Sequence, residues 1–397
     1  MITKIQTLKV RSRLVALFVL AAAFSGCSSS NPPAVTPAEP TVAERLQTVL
    51  DQAVSDGLPG AALAVRGDNF SFDGVAGVEE IATAVPLTVS HRFYLASVGK
   101  TYTAVAIVRL AADGMLNLDD PITRWLPLEV TERIPSSDTI TIRNLLNHTS
   151  GIFDYQDDSD EWLFNAFLPD PVRHWTNADV LPYFLDKPSH FAPGTNASYS
   201  DSNYVLAGMI AEAASGLPMQ SIIRNYIIAP LGLQDTVHGY ESLGLPNFVH
   251  GYVELDGDLL DIFPWYNHYG VTDGGVQASA TDLAVFVREL LTGDGVVDDA
   301  MRSELLTASG IGTPPSIVGL GIDIVPDATA GSVVYVGQGQ DAGSRAEFFH
   351  YTAAESNLTI ALTASASLGG YDSLYSQFYD AVLEVLTSAE LMPGGDS

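Results

Sequence analysis

Cysteine and lysine are nearly missing from this chain of 397 residues, and each shortage excludes something. A single cysteine, Cys27, cannot form an internal disulfide, and it leaves the folded body neither a cysteine nucleophile nor a cysteine metal site. Basic residues number 18 against 47 acidic ones, a formal charge of −29. A surface this negative repels phosphate backbones, which argues against nucleic-acid binding, and no basic patch offers a way round it. There is no G-x-S-x-G elbow, no H-E-x-x-H among the eight histidines and no P-loop. Apolar surface, by contrast, is plentiful: 47% hydrophobic residues, 16% charged ones and a mean hydropathy of +0.18 describe a globular chain with a sizeable core. About 370 residues remain beyond a leader segment, which fits one large domain or two interlocked ones.

The leader is residues 1–26. Lys4, Lys9, Arg11 and Arg13 form a basic start, and the apolar run Leu14 to Phe24 is too short for a stable membrane span. Phe24-Ser25-Gly26-Cys27 resembles a bacterial lipobox, which implies cleavage before Cys27 and acylation of that residue. The plainer alternative is a secretory signal with an incidental cysteine. Acylation would hold the protein on a membrane of the cell envelope, and Ser28 after the cysteine suits outer-membrane sorting if the source has two membranes. Residues 27–40 read as a Ser/Pro/Ala linker, so the fold is expected to begin near Thr41. Losing the four basic residues of the leader leaves 14 against 47, a charge of −33, with only Lys100 and Lys187 as lysines. That composition fits a halophilic or marine surface and equally an ordinary acidic exported protein.

Periodicity predicts a helix over 42–55, strands over 60–66 and 70–78 around a Gly-Asp-Asn turn, and an apolar helix over 100–112 closed by Gly114. Much of the following 190 residues reads as helices broken by Pro and Gly. Strand patterns return at 318–324, 332–336, 346–351 and 358–365, and 371–388 reads as an amphipathic helix. The expected fold class is α+β: an antiparallel sheet built from both chain ends, flanked by N- and C-terminal helices, with a large helical lobe inserted. In residue numbers, one domain spans 41–390, its α/β lobe about 41–95 and 310–390 and its helical lobe about 96–309, followed by a tail at 391–397.

Chemistry is suggested first by Ser97-Val98-Gly99-Lys100 at the start of the apolar helix, where spacing i, i+3 puts hydroxyl and amine on one face. Desolvation and the positive end of the helix dipole are expected to lower the Lys100 pKa toward that of a usable base. The plain alternative is a lysine snorkelling from a helix start.

The run LASVGKTYTAVAIVRLAADGMLNLDDPITRWLP, then TIRNLLNHTSGI at 141–152, FAPGTNASYSDSNYVLAGMIAEAASGLPM, IIAPLGLQDT and DGGVQASATDLAVF at 273–286 resemble the serine β-lactamase-like hydrolase family. Its members include class C β-lactamases, D-alanyl-D-alanine carboxypeptidases, D-aminopeptidases and family VIII carboxylesterases, and the resemblance runs from about Leu46 to Leu386. It implies the sheet-plus-helical-lobe fold and acyl-enzyme chemistry without metal or organic cofactor. By resemblance Ser97 is the nucleophile, with Lys100 and Tyr199 moving its proton, and the phenol of Tyr199 beside an ammonium is expected to have a lowered pKa. The second motif, Y-x-N, falls on Tyr199-Ser200-Asp201, so aspartate replaces asparagine. Asp201 either pairs with Lys100 or caps the following helix.

The third motif, K-T-G or H-x-G, maps to Gln338-Gly339-Gln340. Gln338 lacks the charge that helps family members hold a substrate carboxylate, and Gln340 replaces a glycine. Arg345 either supplies the missing cation or forms a surface ion pair. The backbone N–H groups of Ser97 and Asp341 are the implied oxyanion hole. His148 is read as a loop residue rather than a base, and the acidic stretch Asp154 to Glu161 as a solvated face rather than a cation site.

These residues describe a cell-envelope serine hydrolase acting on small ester, amide or peptide substrates, esterase-like because the third-motif cation is gone. The alternatives are a D-alanyl-D-alanine carboxypeptidase or class C-like β-lactamase, and a catalytically weak, lipid-anchored binding protein.

Overall fold

The computed structural model describes residues 38–242, 244–255, 258–263, 269–311, 317–327, 332–353, 356–367 and 370–392. The expected leader, Cys27 and the linker up to residue 37 lie outside the described residues. Along the chain the strands are β1 (Gly60–Gly67), β2 (Ser71–Gly77), β3 (Phe93–Tyr94), β4 (Thr236–His238), β5 (Tyr252–Leu255), β6 (Asp258–Asp261), β7 (Val276–Ala278), β8 (Ile317–Val318), β9 (Asp323–Asp327), β10 (Ser332–Asp341), β11 (Ser344–Ala353) and β12 (Ser356–Ala364). The long helices are α1 (Val42–Ser55), α2 (Gly99–Ala112), α3 (Asp201–Ser215), α4 (Ala280–Thr292) and α5 (Tyr371–Ser388).

Thr41 opens the folded chain. Its hydroxyl accepts the Glu44 N–H at 3.2 Å while Glu44 Oε2 accepts the Thr41 N–H at 2.7 Å, a reciprocal cap that starts α1. The main sheet runs β2-β1-β12-β11-β10-β9-β8, and every pairing in it is antiparallel. Strands from the two chain ends meet in its middle, where Ala61 lies opposite Ala364 and Val65 opposite Ile360.

Alternation along β1 sorts the two faces. Ala61, Leu63 and Val65 join Leu46 and Leu50 of α1 and Tyr375, Phe378 and Val382 of α5 in one apolar cluster. Ala62 and Ala64 face the other way, with Phe348 and Ala361, onto Leu283, Phe286 and Val287 of α4 and the helical lobe beyond. Helix α2 is buried on nearly every side, in keeping with its mostly apolar sequence, and it packs on α3 and stacks Tyr102 on Phe286 at 4.0 Å. Among the described residues no helix is long and apolar enough to cross a membrane.

Strand ends shift by one or two residues at several places, and two strands differ more from the sequence reading. The expected strand over 318–324 is broken by a turn at Gly319-Leu320-Gly321, Gly321 at φ +70°, leaving the separate strands β8 and β9. Conversely, β10 continues past Val336 through both glycines to Asp341. Those glycines mark close approach rather than a strand end: a Cβ on Gly337 would stand 2.1 Å from the Phe348 ring, and one on Gly339 2.1 Å from the Leu95 carbonyl oxygen.

Candidate active site

Ser97 is placed by a strand, a strained turn and a helix in succession. Strand β3 pairs with β7, Leu95 N–H donates to Val276 O at 2.9 Å, and Ala96 then turns the chain with φ +47°. A left-handed conformation costs an L-residue about 1–2 kcal/mol. Ala96 is buried and Gly339 packs its backbone directly over the Leu95–Ser97 turn, so the surroundings hold the conformation. Helix α2 starts immediately after, at Gly99, whose missing side chain lets it lie against Gly274; a Cβ there would meet Gly274 O at 2.5 Å. This contact brings the Asp273-Gly274-Gly275 turn over the first turn of α2.

Lys100 Nζ lies 3.0 Å from Ser97 Oγ, 2.6 Å from the Asp273 carbonyl oxygen and 2.5 Å from Asp201 Oδ1. The lysine is buried. Burial alone lowers an ammonium's pKa, as expected, but the negative charges of Asp201 and Asp273 outweigh it and raise Lys100 above the ordinary lysine value. The expected lowering is therefore reversed. Asp201 pairs with Lys100 from the first position of α3, and Ser200 occupies the cap.

Tyr199 Oη is 2.7 Å from Ser97 Oγ and donates to Asp201 Oδ1 at 3.1 Å. The residue is 45% exposed along the cleft wall, with its hydroxyl between Ser97 and Asp201. Desolvation of the phenol, with the charge of Asp201, pushes it well above its usual value, opposite to the lowering that the nearby ammonium suggested. His148 lies against the Tyr199 ring with centroids 4.6 Å apart and the planes tilted by 30°, and its Nδ1 accepts the Ser200 N–H at 3.1 Å. Burial first, then Lys100, lowers His148 to about 3, so the ring is neutral and positions the tyrosine.

Sequence reasoning missed the layer beneath. Asp273 Oδ2 accepts from Tyr155 Oη at 2.5 Å and from Gln156 Nε2 at 3.1 Å, and Tyr269 Oη donates to Oδ1 at 3.1 Å. Burial and then Asp201 raise Asp273 to about 6. Asp154, buried with one carboxyl oxygen unpartnered, is raised to about 9 for the same two reasons. The stretch 154–161 is thus not a single solvated face: Asp154 lies inside, Gln156 and Asp157 line the cleft, and Glu161 pairs with Lys187 at 3.1 Å. Only the repeated acidic residues hinted at this, and they carry no spacing signature.

Two recesses meet at Ser97 and Tyr199. Gln338 lines the larger, beside Lys100 and His148. Gln340 and Asp341 line the smaller, where Gln340 Nε2 also donates to Asp372 Oδ1 at 2.7 Å. Arg345 borders neither recess. Its guanidinium donates to Glu347 Oε1 at 2.7 and 3.0 Å, lies 3.6 Å from Asp372 and covers the Tyr375 ring, so it is spent on the α5 side and is not a carboxylate anchor. Asp157, Asp201, Asp273, Asp323 and Asp341 line the two recesses, and Lys100 is the only lysine or arginine among the described lining residues.

The family described as Beta-lactamase matches residues 41–371, and the chain belongs to it. Penicillin-binding protein 4* of Bacillus subtilis (strain 168) is 33% identical over 179 residues, 45% of this chain and 37% of its own length. Esterase EstB of Burkholderia gladioli is 33% identical over 222 residues, 52% of this chain and 54% of its own length. The chain thus spans about a third to a half of these two relatives. A crystal structure of a D-stereospecific amidohydrolase from Streptomyces sp. superimposes with a TM-score of 0.71 at 28% identity, covering 85% of this chain and 98% of that one.

Asp154 generates a pH prediction. Its carboxyl ionises near 3.8 when unfolded and near 9 when folded, so the folded state holds the extra proton and stability is lost as pH rises between those values. Asp154→Asn removes this loss. Its melting temperature should match wild type near pH 4 and exceed it increasingly toward pH 8 in calorimetry; a gap that does not change with pH contradicts the assignment.

Proposed function

We propose that the protein is a serine hydrolase that forms an acyl-enzyme at Ser97 on small esters or amides whose acyl part carries no carboxylate. One observation carries this reading: the Ser97 hydroxyl sits between Lys100 Nζ at 3.0 Å and Tyr199 Oη at 2.7 Å, at the junction of two open recesses. Ser97 attacks the carbonyl, the backbone N–H groups of Ser97 and Asp341 receive the oxyanion, and water releases the acyl group. The acidic lining repels carboxylates and suits neutral or ammonium-bearing acyl groups.

A carboxypeptidase or β-lactamase role needs a cation for the substrate carboxylate, and Arg345 is committed elsewhere. A binding-only role leaves the intact Ser97, Lys100 and Tyr199 cluster without a purpose. The basic, apolar leader and Cys27 support an exported lipoprotein of the cell envelope.

Two experiments test this reading. Hydrolysis of p-nitrophenyl butyrate, of alanine p-nitroanilide and of its N-succinyl derivative is followed beside a chromogenic cephalosporin, with Ser97→Ala as control. The butyrate ester and the free-amine anilide should be turned over faster than the two carboxylate-bearing substrates, and Ser97→Ala should abolish turnover. Activity that survives Ser97→Ala would sink the acyl-enzyme reading, and rapid cephalosporin cleavage would sink the substrate ranking. For the anchor, an acyl-chain probe fed to the producing cells should label the full chain and fail to label Cys27→Ser; equal labelling of both removes the lipoprotein assignment.

A further inference from the structure

We infer that Asp201 is the terminal proton acceptor for Ser97, reached through Tyr199, so that a Tyr–Asp relay replaces lysine as the base. The inference rests on the acyl-enzyme reading above and concerns how that site moves its proton. An ammonium has three N–H donors. Those of Lys100 are matched by three acceptors: Ser97 Oγ at 3.0 Å, the Asp273 carbonyl oxygen at 2.6 Å and Asp201 Oδ1 at 2.5 Å. While that arrangement persists Lys100 has no lone pair to offer and serves as a fixed positive charge beside the nucleophile.

The direction of the remaining bonds follows from what each group can do. Asp201 is paired with the ammonium and, as a carboxylate, only accepts, so Tyr199 is the donor in the 3.1 Å bond to Oδ1. With its proton committed there, Tyr199 Oη is the acceptor in the 2.7 Å contact, and Ser97 donates to it. The protons are therefore already ordered Ser97 to Tyr199 to Asp201. An asparagine at 201, as in Y-x-N, has no carboxylate to take the proton; this chain has one.

In acylation, the Ser97 Oγ to acyl carbon bond forms as the carbonyl electron pair moves onto oxygen. The serine proton passes to Tyr199 Oη, and the phenol proton passes to Asp201 Oδ1. Collapse of the tetrahedral adduct breaks the bond to the leaving oxygen or nitrogen, which takes a proton from Tyr199 as Asp201 returns its own. Water repeats the cycle in deacylation, and Ser97 recovers its hydroxyl proton.

Asparagine and glutamate at position 201 separate this relay from a purely positioning role. Asn nearly preserves shape and can still accept from both Lys100 and Tyr199 but cannot take the proton; Glu keeps the base and disturbs the geometry. Acylation is read as the p-nitrophenol burst from p-nitrophenyl butyrate with the full chain. Asp201→Asn should lower its rate by about 100-fold or more, within the usual range for general-base catalysis, and should be slower than Asp201→Glu. Tyr199→Phe combined with Asp201→Asn should be no slower than Tyr199→Phe alone, because both changes break one relay. A rate for Asn at or above that of Glu, or losses that multiply in the double variant, overturns the relay.

Thermal unfolding is recorded for each variant, and if Asp201→Asn lacks the wild-type transition, Asp201→Ser takes its place in both comparisons. Ser97→Ala is combined with each. Turnover that survives it counts against the acyl-enzyme reading itself, whereas an Asn rate above Glu with turnover still dependent on Ser97 counts against the relay alone.

Discussion

Lys100 is an ammonium ion carried into the interior, and the arrangement around it depends on its contact with Asp201. The pair ties α2, which begins just after the Ser97 turn, to α3, which begins just after Tyr199. It therefore sets the distance between serine and phenol. Removing one member of a buried pair typically costs about 3–5 kcal/mol, because the other is left uncompensated. The Gly99–Gly274 contact adds the third side by bringing the Asp273 carbonyl onto the same ammonium. Three segments far apart in sequence converge on one nitrogen atom.

The carboxyl groups near that nitrogen outnumber it. Asp154, Asp201 and Asp273 are all buried within reach of one ammonium, and burial together with the charge of Asp201 raises Asp154 to about 9, so that it holds a proton at neutral pH, and Asp273 only to about 6, so that it stays largely charged. The same excess extends into the cleft through Asp157, Asp323 and Asp341. Arg345, which lies near enough in sequence to neutralise it, is drawn to Glu347 and Asp372 on the other side. The proposed chemistry of the site and the proposed substrate preference thus share one electrostatic origin.

Local information was legible in the sequence to the extent that local forces decide it. Helices α1 and α5 fall on their expected residues because each carries a periodic apolar face, and the antiparallel sheet drawn from both chain ends followed from where the strand patterns lie. Ser97 and Lys100 were legible because three residues on a helix place two side chains on one face. Strand β10 was cut short because Gly337 and Gly339 look like strand ends until the Phe348 ring and the Ser97 turn are in place against them. Asp154, Tyr155, Gln156, Tyr269 and Asp273 had no signature at all; tertiary packing alone brings them together. The pKa directions of Lys100 and Tyr199 went wrong for a related reason. Helix position and burial can be read along a chain, but the sign of the sum depends on two aspartates whose distances cannot.

The claim on which the account stands is that Lys100 is held as an ammonium by carboxylates, and the scarcity of lysine makes it directly measurable. The protein contains four lysines, two of them in the leader, so lysine labelled with ¹³C at Cε gives few NMR signals, and Lys187→Arg identifies the one other in the folded body. Followed against pH, the Lys100 signal should keep its charged-state shift past the ordinary lysine value of 10.5. A titration midpoint well below that value, in the range of a working base, would contradict the account and return the proton of Ser97 to the lysine.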